Sequence, residues 1–422
     1  MQTGLNVEHS IADVRNDDAH KAVVRNTQEL QVTAIGKNRD GYIENFEAAV
    51  AREQRRLASK GSRRITPVPT SIATFCPSKW WPMLLSGTGM LVGQGSQGFV
   101  YTAKMSCREG VVVEMAFKSS RSYAHLEEWS NEVTWGLKLD HPYIVKVFDY
   151  FKAGAQGTIA MEAASGGDLE SHFRGTGENR YQSLSPALLA EFTLQILLGL
   201  RHMHSVGAVH ADLKPAQVMM HCDSESLCEV KLGDLGLVVK ATETMPYVGS
   251  VRGTKYYMAP EIAGANKFYP AADMWALGIS LHEMLNGGQQ FMKLVTGDEH
   301  PGLEKILKNL SELYKRPPQS LYTQMCIFAS SAKEQDRTML EKGLLLMDCS
   351  NDTPRNELLT GLLQQRPDDR ITATSAIEVA MRWAESEGVP SDRIAAIIAK
   401  DQNPHGARLP PCWLNCYDKC ES

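Results

Sequence analysis

The spacing of apolar and polar positions changes several times along the chain, and each change marks a different part. Up to about residue 75 polar residues dominate, and one stretch, Tyr42 to Leu57, sets Ile43, Phe46, Val50 and Leu57 at near-helical spacing and predicts a helix. The following Lys60-Gly-Ser-Arg-Arg-Ile-Thr-Pro-Val-Pro reads as a linker. From Met90 short β-like runs take over: Gly98-Phe-Val-Tyr-Thr-Ala, Val111-Val-Val-Glu-Met-Ala-Phe and Tyr143-Ile-Val-Lys-Val-Phe-Asp-Tyr predict strands. One helical pattern, Ala124 to Leu139, interrupts them. Thr158-Ile-Ala-Met-Glu-Ala-Ala-Ser-Gly-Gly-Asp-Leu reads as a strand running into a Gly-rich connector. Beyond it, from Ser185, long helical patterns dominate, beginning with Ala187 to Ser205. A β-rich part followed by an α-rich part predicts an α+β fold in two lobes, with the cleft between them as the place for a small molecule.

Composition sets the outer bounds. At 422 residues, 43% of them hydrophobic, the chain can bury a sizeable core in two or three structural units. A net charge of -5 gives no global pull toward nucleic acid or anionic lipid, so no nucleic-acid partner is expected. The opening Met1-Gln-Thr-Gly-Leu-Asn lacks the basic and apolar regions of a secretory signal. No run approaches the ~18 apolar residues of a membrane span. The cysteines number nine, scattered and odd, which fits reduced thiols better than a disulfide framework. The expectation is an intracellular, cytoplasmic protein without a membrane span.

Several short motifs change the picture. Gly93-Gln-Gly-Ser-Gln-Gly-Phe-Val is a G-x-G-x-x-G-x-V loop, whose glycines let backbone N–H groups approach a polyphosphate. A strand, not a helix, follows it, which favours a hairpin over a dinucleotide-binding turn. Lys118 closes the apolar run Met115-Ala-Phe-Lys, and an ammonium taken out of water needs a carboxylate. Glu127, Glu128 and Glu132 on the next helix are equal candidates by helix geometry. Val209-His-Ala-Asp-Leu-Lys-Pro-Ala-Gln-Val-Met-Met brings together Asp212, able to take or orient a hydroxyl proton, and Lys214, able to offset phosphoryl charge. In Lys231-Leu-Gly-Asp-Leu-Gly-Leu, Asp234 lies between a strand end and a Gly turn, where it suits a hard cation such as Mg²⁺ or caps a simple turn.

Taken in order, these motifs resemble the eukaryotic protein kinase superfamily, serine/threonine type, over about Met90 to Trp383. The matching residues are Gly93 to Val100, Lys118 with Glu132, His210-Ala-Asp212, Asp234-Leu-Gly236 and Ala259-Pro-Glu261. Asp273-Met-Trp-Ala-Leu-Gly resembles the start of the family's central large-lobe helix, and Arg370 resembles the late arginine that pairs with Glu261. The resemblance implies a bilobal kinase fold using ATP and Mg²⁺ on a protein substrate with a Ser or Thr acceptor. It selects Glu132 as the partner of Lys118 through its spacing to His141-Pro142. It assigns catalysis to Asp212, Lys214 and Thr254, and metal binding to Gln217 and Asp234. It assigns nucleotide contacts to Val92, Gly93, Gln94, Gly95, Ser96, Gln97, Gly98, Val100, Ala116, Lys118, Glu132, Met161, Glu162, Ala164, Asp168 and Met219.

Four departures qualify it. Gln217 stands where the family has Asn, which weakens or displaces a second Mg²⁺. Ala211 replaces the Arg before the catalytic Asp, so phosphorylation of Thr242, Thr244 or Ser250 has less leverage. Leu235 replaces Phe. Gly136 lies one turn after Glu132, where an apolar side chain usually packs, so helix placement is expected to depend on another element, such as the segment before Met90. These departures keep a rival open, a pseudokinase acting as a nucleotide-binding scaffold.

The division implied is a polar extension over 1–75, a lead-in over 76–89, a kinase domain over 90–385 and a tail over 386–422. The domain splits into lobes 90–162 and 163–385, with a helical insert over about 295–350, where Leu303 to Lys315 and Lys333 to Met347 look helical. The loop over 36–47 resembles a degenerate EF-hand, with Gly36 in place of the first Asp ligand. Cys412, Cys416 and Cys420 read as part of a disordered tail, and the basic run from Arg52 to Arg64 as a solvated face.

Overall fold

The computed structural model describes residues 90–94, 98–106, 112–120, 126–153, 156–173, 184–222, 228–241, 253–254, 257–265, 268–285 and 353–402. The extension, the EF-hand-like loop, the insert and the three tail cysteines lie outside them, as do Thr242, Thr244 and Ser250. The described residues form two compact units, one of 90–140 and 145–164, the other of 141–144 and 165–402. The first is β-rich and the second mostly α-helical, so the fold is α+β in two lobes.

The first unit is a five-stranded antiparallel sheet in the order β1-β2-β3-β5-β4. Its strands are β1 (Met90–Gln94), β2 (Gly98–Ser106), β3 (Val112–Ser120), β4 (Val147–Ala153) and β5 (Gln156–Glu162). On β2 Phe99, Tyr101, Thr102, Ala103 and Met105 are buried, while Lys104 is exposed. Helix α1 (Leu126–Lys138) buries Trp129, Val133 and Leu137. Gly157 on β5 is required by that packing, since a Cβ there would lie 2.3 Å from the Trp129 ring. Gly136 has the same property: a Cβ would lie 2.3 Å from Cγ2 of Val147. Val147 of β4 therefore fills the place of the missing side chain, and the described residues supply the apolar contact expected from outside Met90.

Two strand expectations shift. Tyr143-Ile-Val-Lys is not strand; β4 starts at Val147, and Ile144 makes an isolated parallel bridge to Leu232. Lys118 does not end its strand, because β3 runs on to Ser120.

The second unit opens with the two-residue strand β6 (Gly167–Asp168) and the short helix α2 (Leu169–Phe173). Helix α3 (Pro186–Ser205) follows, with Ser185 Oγ accepting from Leu188 N and Pro186 in its first turn. A three-stranded sheet β6-β8-β9 and a pair β10-β7 carry the motif loops. Their strands are β7 (Ala208–Val209), β8 (Val218–Cys222), β9 (Cys228–Leu232) and β10 (Val239–Lys240). Helices α4 (Pro260–Ala265) and α5 (Pro270–Leu285) come next. Along α5 every residue from Ala272 to Leu285 is buried, as befits a helix with core on all sides. Then come α6 (Pro354–Leu362), capped by Thr353, α7 (Ala373–Ser386), capped by Thr372, and α8 (Ser391–Gln402). The core holds Trp275, Trp383, Tyr143, Phe173 and Phe192, each side chain of this size contributing roughly 1.5–3 kcal/mol by leaving water. No helix among the described residues is long and apolar enough to cross a membrane.

The expectation of reduced thiols fails at one pair. Cys222 and Cys228 face each other across β8 and β9 and are joined by a disulfide. Strand register brings them together, which a count of cysteines does not reveal.

Candidate active site

In the first unit, Lys118 Nζ lies 2.7 and 2.9 Å from the two carboxylate oxygens of Glu132. The Glu132 side chain is 6% exposed and that of Lys118 18%, so the pair is mostly out of water. Removing either partner would leave an uncompensated charge. On the sheet, Val100 pairs with Lys118, and Ala116 with Met161. Glu162 is tied to Lys146, its N–H donating to the Lys146 carbonyl at 2.9 Å. A register shift between Leu91 and Gly93 puts a bulge at Val92, whose side chain is exposed. Gly98 admits no side chain, since a Cβ would fall 1.9 Å from the Ser119 carbonyl oxygen. Gly95, Ser96 and Gln97 lie outside the described residues.

In the second unit, the structure gathers Asp212, Lys214 and Thr254. Asp212 Oδ1 accepts from the Thr254 N–H at 2.7 Å and from its hydroxyl at 2.8 Å. Asp212 Oδ2 accepts from Lys214 Nζ at 2.7 Å, and the same ammonium donates to Thr254 Oγ1 at 2.6 Å. Gln217, at the end of a 3₁₀ turn over Pro215–Gln217, donates its amide N–H to Asp212 Oδ2 at the long distance of 3.4 Å. A hollow beside this cluster is lined by Leu213, Met258, Phe268 and Ala276.

Backbone strain and a buried carboxylate shape this loop. Ala211 has φ 66°, a left-handed conformation that L-residues other than Gly adopt at a cost. The buried Asp273 at the start of α5 holds it there: its oxygens accept from the N–H groups of His210 at 2.9 Å and Ala211 at 3.0 Å. Asp273 also meets His204 Nε2 at 2.8 Å. Sequence reading placed Asp273 on the central helix and missed this role; the signal was an acidic residue in the first turn of a mostly apolar helix. His210 itself is fully buried, with Nε2 donating to the Gly233 carbonyl at 3.0 Å.

Asp234 also sits in the left-handed region, at φ 49°, ahead of a 3₁₀ turn over Leu235–Leu237 that its side chain does not cap. Asp168 also shapes the backbone, since its Oδ1 accepts from the Ser171 N–H at 2.9 Å and so begins α2. On the sheet it pairs with Met219. Arg370 is wholly buried and meets Glu261 through two bonds of 2.7 and 2.9 Å, with Trp275 beneath its guanidinium. Among the described residues no three His, Cys, Asp or Glu side chains gather as a metal cage.

Comparison with known proteins gives a consistent result. Residues 87–381 match the family described as the protein kinase domain. Over 203 residues the chain is 32% identical to mitogen-activated protein kinase kinase 7 of Arabidopsis thaliana, covering 47% of this chain and 62% of that protein. It is 29% identical over 238 residues to an Aurora kinase of Dictyostelium discoideum, covering 56% and 57%. Serine/threonine-protein kinase 1 of Arabidopsis thaliana is 28% identical over 236 residues, 56% of this chain and 27% of that protein. The chain thus spans less than two thirds of the length of each of these relatives.

Proposed function

We propose a function from one premise: this chain belongs to the protein kinase family. Its reaction is the transfer of the γ-phosphoryl group of ATP to a serine or threonine hydroxyl of another protein. The observation that carries this reading is the cluster of Asp212, Lys214 and Thr254, in which a carboxylate is oriented by three short donor contacts.

In this mechanism Lys118, held by Glu132, pairs with the nucleotide phosphates, together with the backbone of the Gly93–Gly98 loop. Met161, Glu162 and Ala164, with Val100, Ala116 and Met219, receive the base, and Asp168 lies on the ribose side. The acceptor hydroxyl docks on Asp212 Oδ2. Two donors already fill Oδ1, so the hydroxyl takes the place of the long Gln217 contact. The acceptor oxygen then bonds to the γ-phosphorus as the bond to the bridging oxygen breaks and ADP leaves. The hydroxyl proton passes to the Asp212 carboxylate, and Lys214 offsets charge on the transferred group. Asp234 and the Gln217 amide oxygen offer the hard oxygen donors that suit Mg²⁺. When bound, Mg²⁺ neutralises phosphate charge. Catalysis is then mainly positioning and electrostatics.

The test is transfer of label from γ-labelled ATP to a generic basic protein by the full chain, beside Asp212→Ala and Asp234→Ala. Each variant is expected to lose about 10²-fold or more, with label recovered on Ser or Thr and not on Tyr. Equal background from all three would show a nucleotide-binding scaffold, the reading that Ala211 and Gln217 favour. A finer expectation concerns Gln217→Asn, which should raise activity or lower the Mg²⁺ requirement. No change in either would remove Gln217 from the metal site.

A further inference from the structure

The Cys222–Cys228 bond closes the β8–β9 hairpin between the two motif loops: β8 leaves Gln217, and β9 leads to Asp234. Its place in the ladder is chemically specific. Met220 and Val230 are opposite one another, and the Met220 carbonyl accepts from Gly166 N while Val230 N donates to Gln195 Oε1, so that pair exchanges no ladder bonds. Two residues on, Cys222 and Cys228 are again a non-hydrogen-bonded pair, with Cα atoms 4.1 Å apart. Side chains stand closest at such positions.

The outward backbone groups of both cysteines are taken by neighbouring elements. Ser165, in the connector that leads to Asp168, accepts from Cys222 N at 2.9 Å and donates to the Cys222 carbonyl at 3.0 Å. The next residue, Gly166, lies against the bridge itself: a Cβ there would be 3.0 Å from Cys222 Sγ. On the other side, the Cys228 carbonyl accepts from Arg393 of α8 at 3.3 Å. Both cysteines are partly exposed, so a small thiol can reach the bond.

We propose that Cys222–Cys228 is a reversible thiol–disulfide site whose state sets how firmly the connector Ser165–Asp168 is held on β8. In the reducing direction, one thiolate of a dithiol attacks one sulfur of the bridge and the S–S bond breaks. The released cysteine thiolate takes up a proton. The second thiol of the reductant then displaces the mixed disulfide, leaving two cysteine thiols and the oxidised dithiol. Two electrons and two protons have moved from the dithiol to the pair. With the cross-link gone, the end of the hairpin loses its constraint, and the Ser165 and Gly166 contacts lose the surface they rest on.

The experiment uses the full chain without nucleotide. His202 to Lys231 forms one tryptic peptide, since the Lys214–Pro215 bond resists cleavage, and it carries Cys222 and Cys228 and no other cysteine. In non-reduced protein this peptide is expected to be lighter by two hydrogens and to resist alkylation, and graded dithiothreitol should convert it in a single two-electron step. Amide exchange over residues 165–173 should quicken by roughly tenfold on reduction, the scale on which a short-loop cross-link acts. A Cys222→Ser, Cys228→Ser chain should show the fast exchange at once and ignore dithiothreitol. Alkylation of both residues in non-reduced protein, or exchange over 165–173 that reduction leaves unchanged, would overturn the proposal. A looser connector should also weaken nucleotide binding through Asp168, an expectation that rests on the kinase reading. A chain that shows the exchange shift yet binds no fluorescent ATP analogue would sink that reading and leave the redox site standing.

Discussion

At His141 the backbone N–H of Tyr143 points at Nδ1 from 3.2 Å, so the ring carries its proton on Nε2 and donates it to Asp401 at 2.8 Å. Burial is the largest influence and pushes the pKa down to about 4; His202 and Arg201 push the same way, and Asp401 opposes them. The unfolded chain takes up this proton near 6.5, whereas the folded chain waits until about pH 4. The unfolded state therefore binds more protons between those values, and stability is lost as pH falls through that window. The contribution is up to about 3 kcal/mol, and the buried His282, lowered to about 3, acts in the same direction. A falling melting temperature from pH 7 to pH 4, with His141 titrating well below its ordinary value by NMR, is the expected outcome; an ordinary titration would contradict it. Gly136 gives a second expectation. Gly136→Leu should destabilise by about 1–3 kcal/mol through overpacking against Val147, and Val147→Ala in the same chain should recover part of the loss. Neither residue announces this contact in the sequence, because the space at Gly136 is filled from β4, across a turn.

Among the elements, α8 lay furthest from expectation, since sequence reading began the tail at residue 386 and the family match ends at 381. It is a 12-residue helix with only Ile394 and Ile397 buried, too short an apolar stripe to stand out. Its ties are to residues remote in the chain. Ile397 accepts from the Tyr143 hydroxyl at 2.9 Å, Asp401 meets Arg201 at 2.5 Å, Arg393 meets Glu191 at 2.7 Å, and Lys400 pairs with Glu229. A chain stopped after Pro390 is expected to melt at least about 5 °C lower, and Asp401→Asn to cost a smaller share. Unchanged melting of the shortened chain would show α8 to be ornamental. The strands were more legible: β2 and β3 fall within short runs rich in β-branched and aromatic residues, Gly98-Phe-Val-Tyr-Thr-Ala and Val111-Val-Val-Glu-Met-Ala-Phe. Tyr143 to Lys146 misled because its β-branched residues resemble a strand, while remote contacts to Leu232 and Ile397 hold them as a turn.

For the molecule as a whole, the order of elements was readable because a β-rich run and a helical run differ in period throughout. The Lys118–Glu132 and Asp212–Lys214 pairs were readable because each member sits at a motif, although choosing Glu132 over Glu127 and Glu128 needed the family's spacing. What stayed hidden was whatever depends on two distant segments meeting, such as Asp273 gripping the backbone of His210 and Ala211. The central proposal is that Lys118 and Asp212 serve a single phosphoryl transfer. A double-mutant cycle on kcat/KM tests that claim most directly, using Lys118→Met, Asp212→Asn and the pair together, each checked for an intact melting transition. The expected result is a loss of about 10²-fold or more for either change, with the pair losing far less than the product, because groups that act as a unit are not additive. Transfer by either variant at the wild-type rate, or losses that multiply, would contradict it.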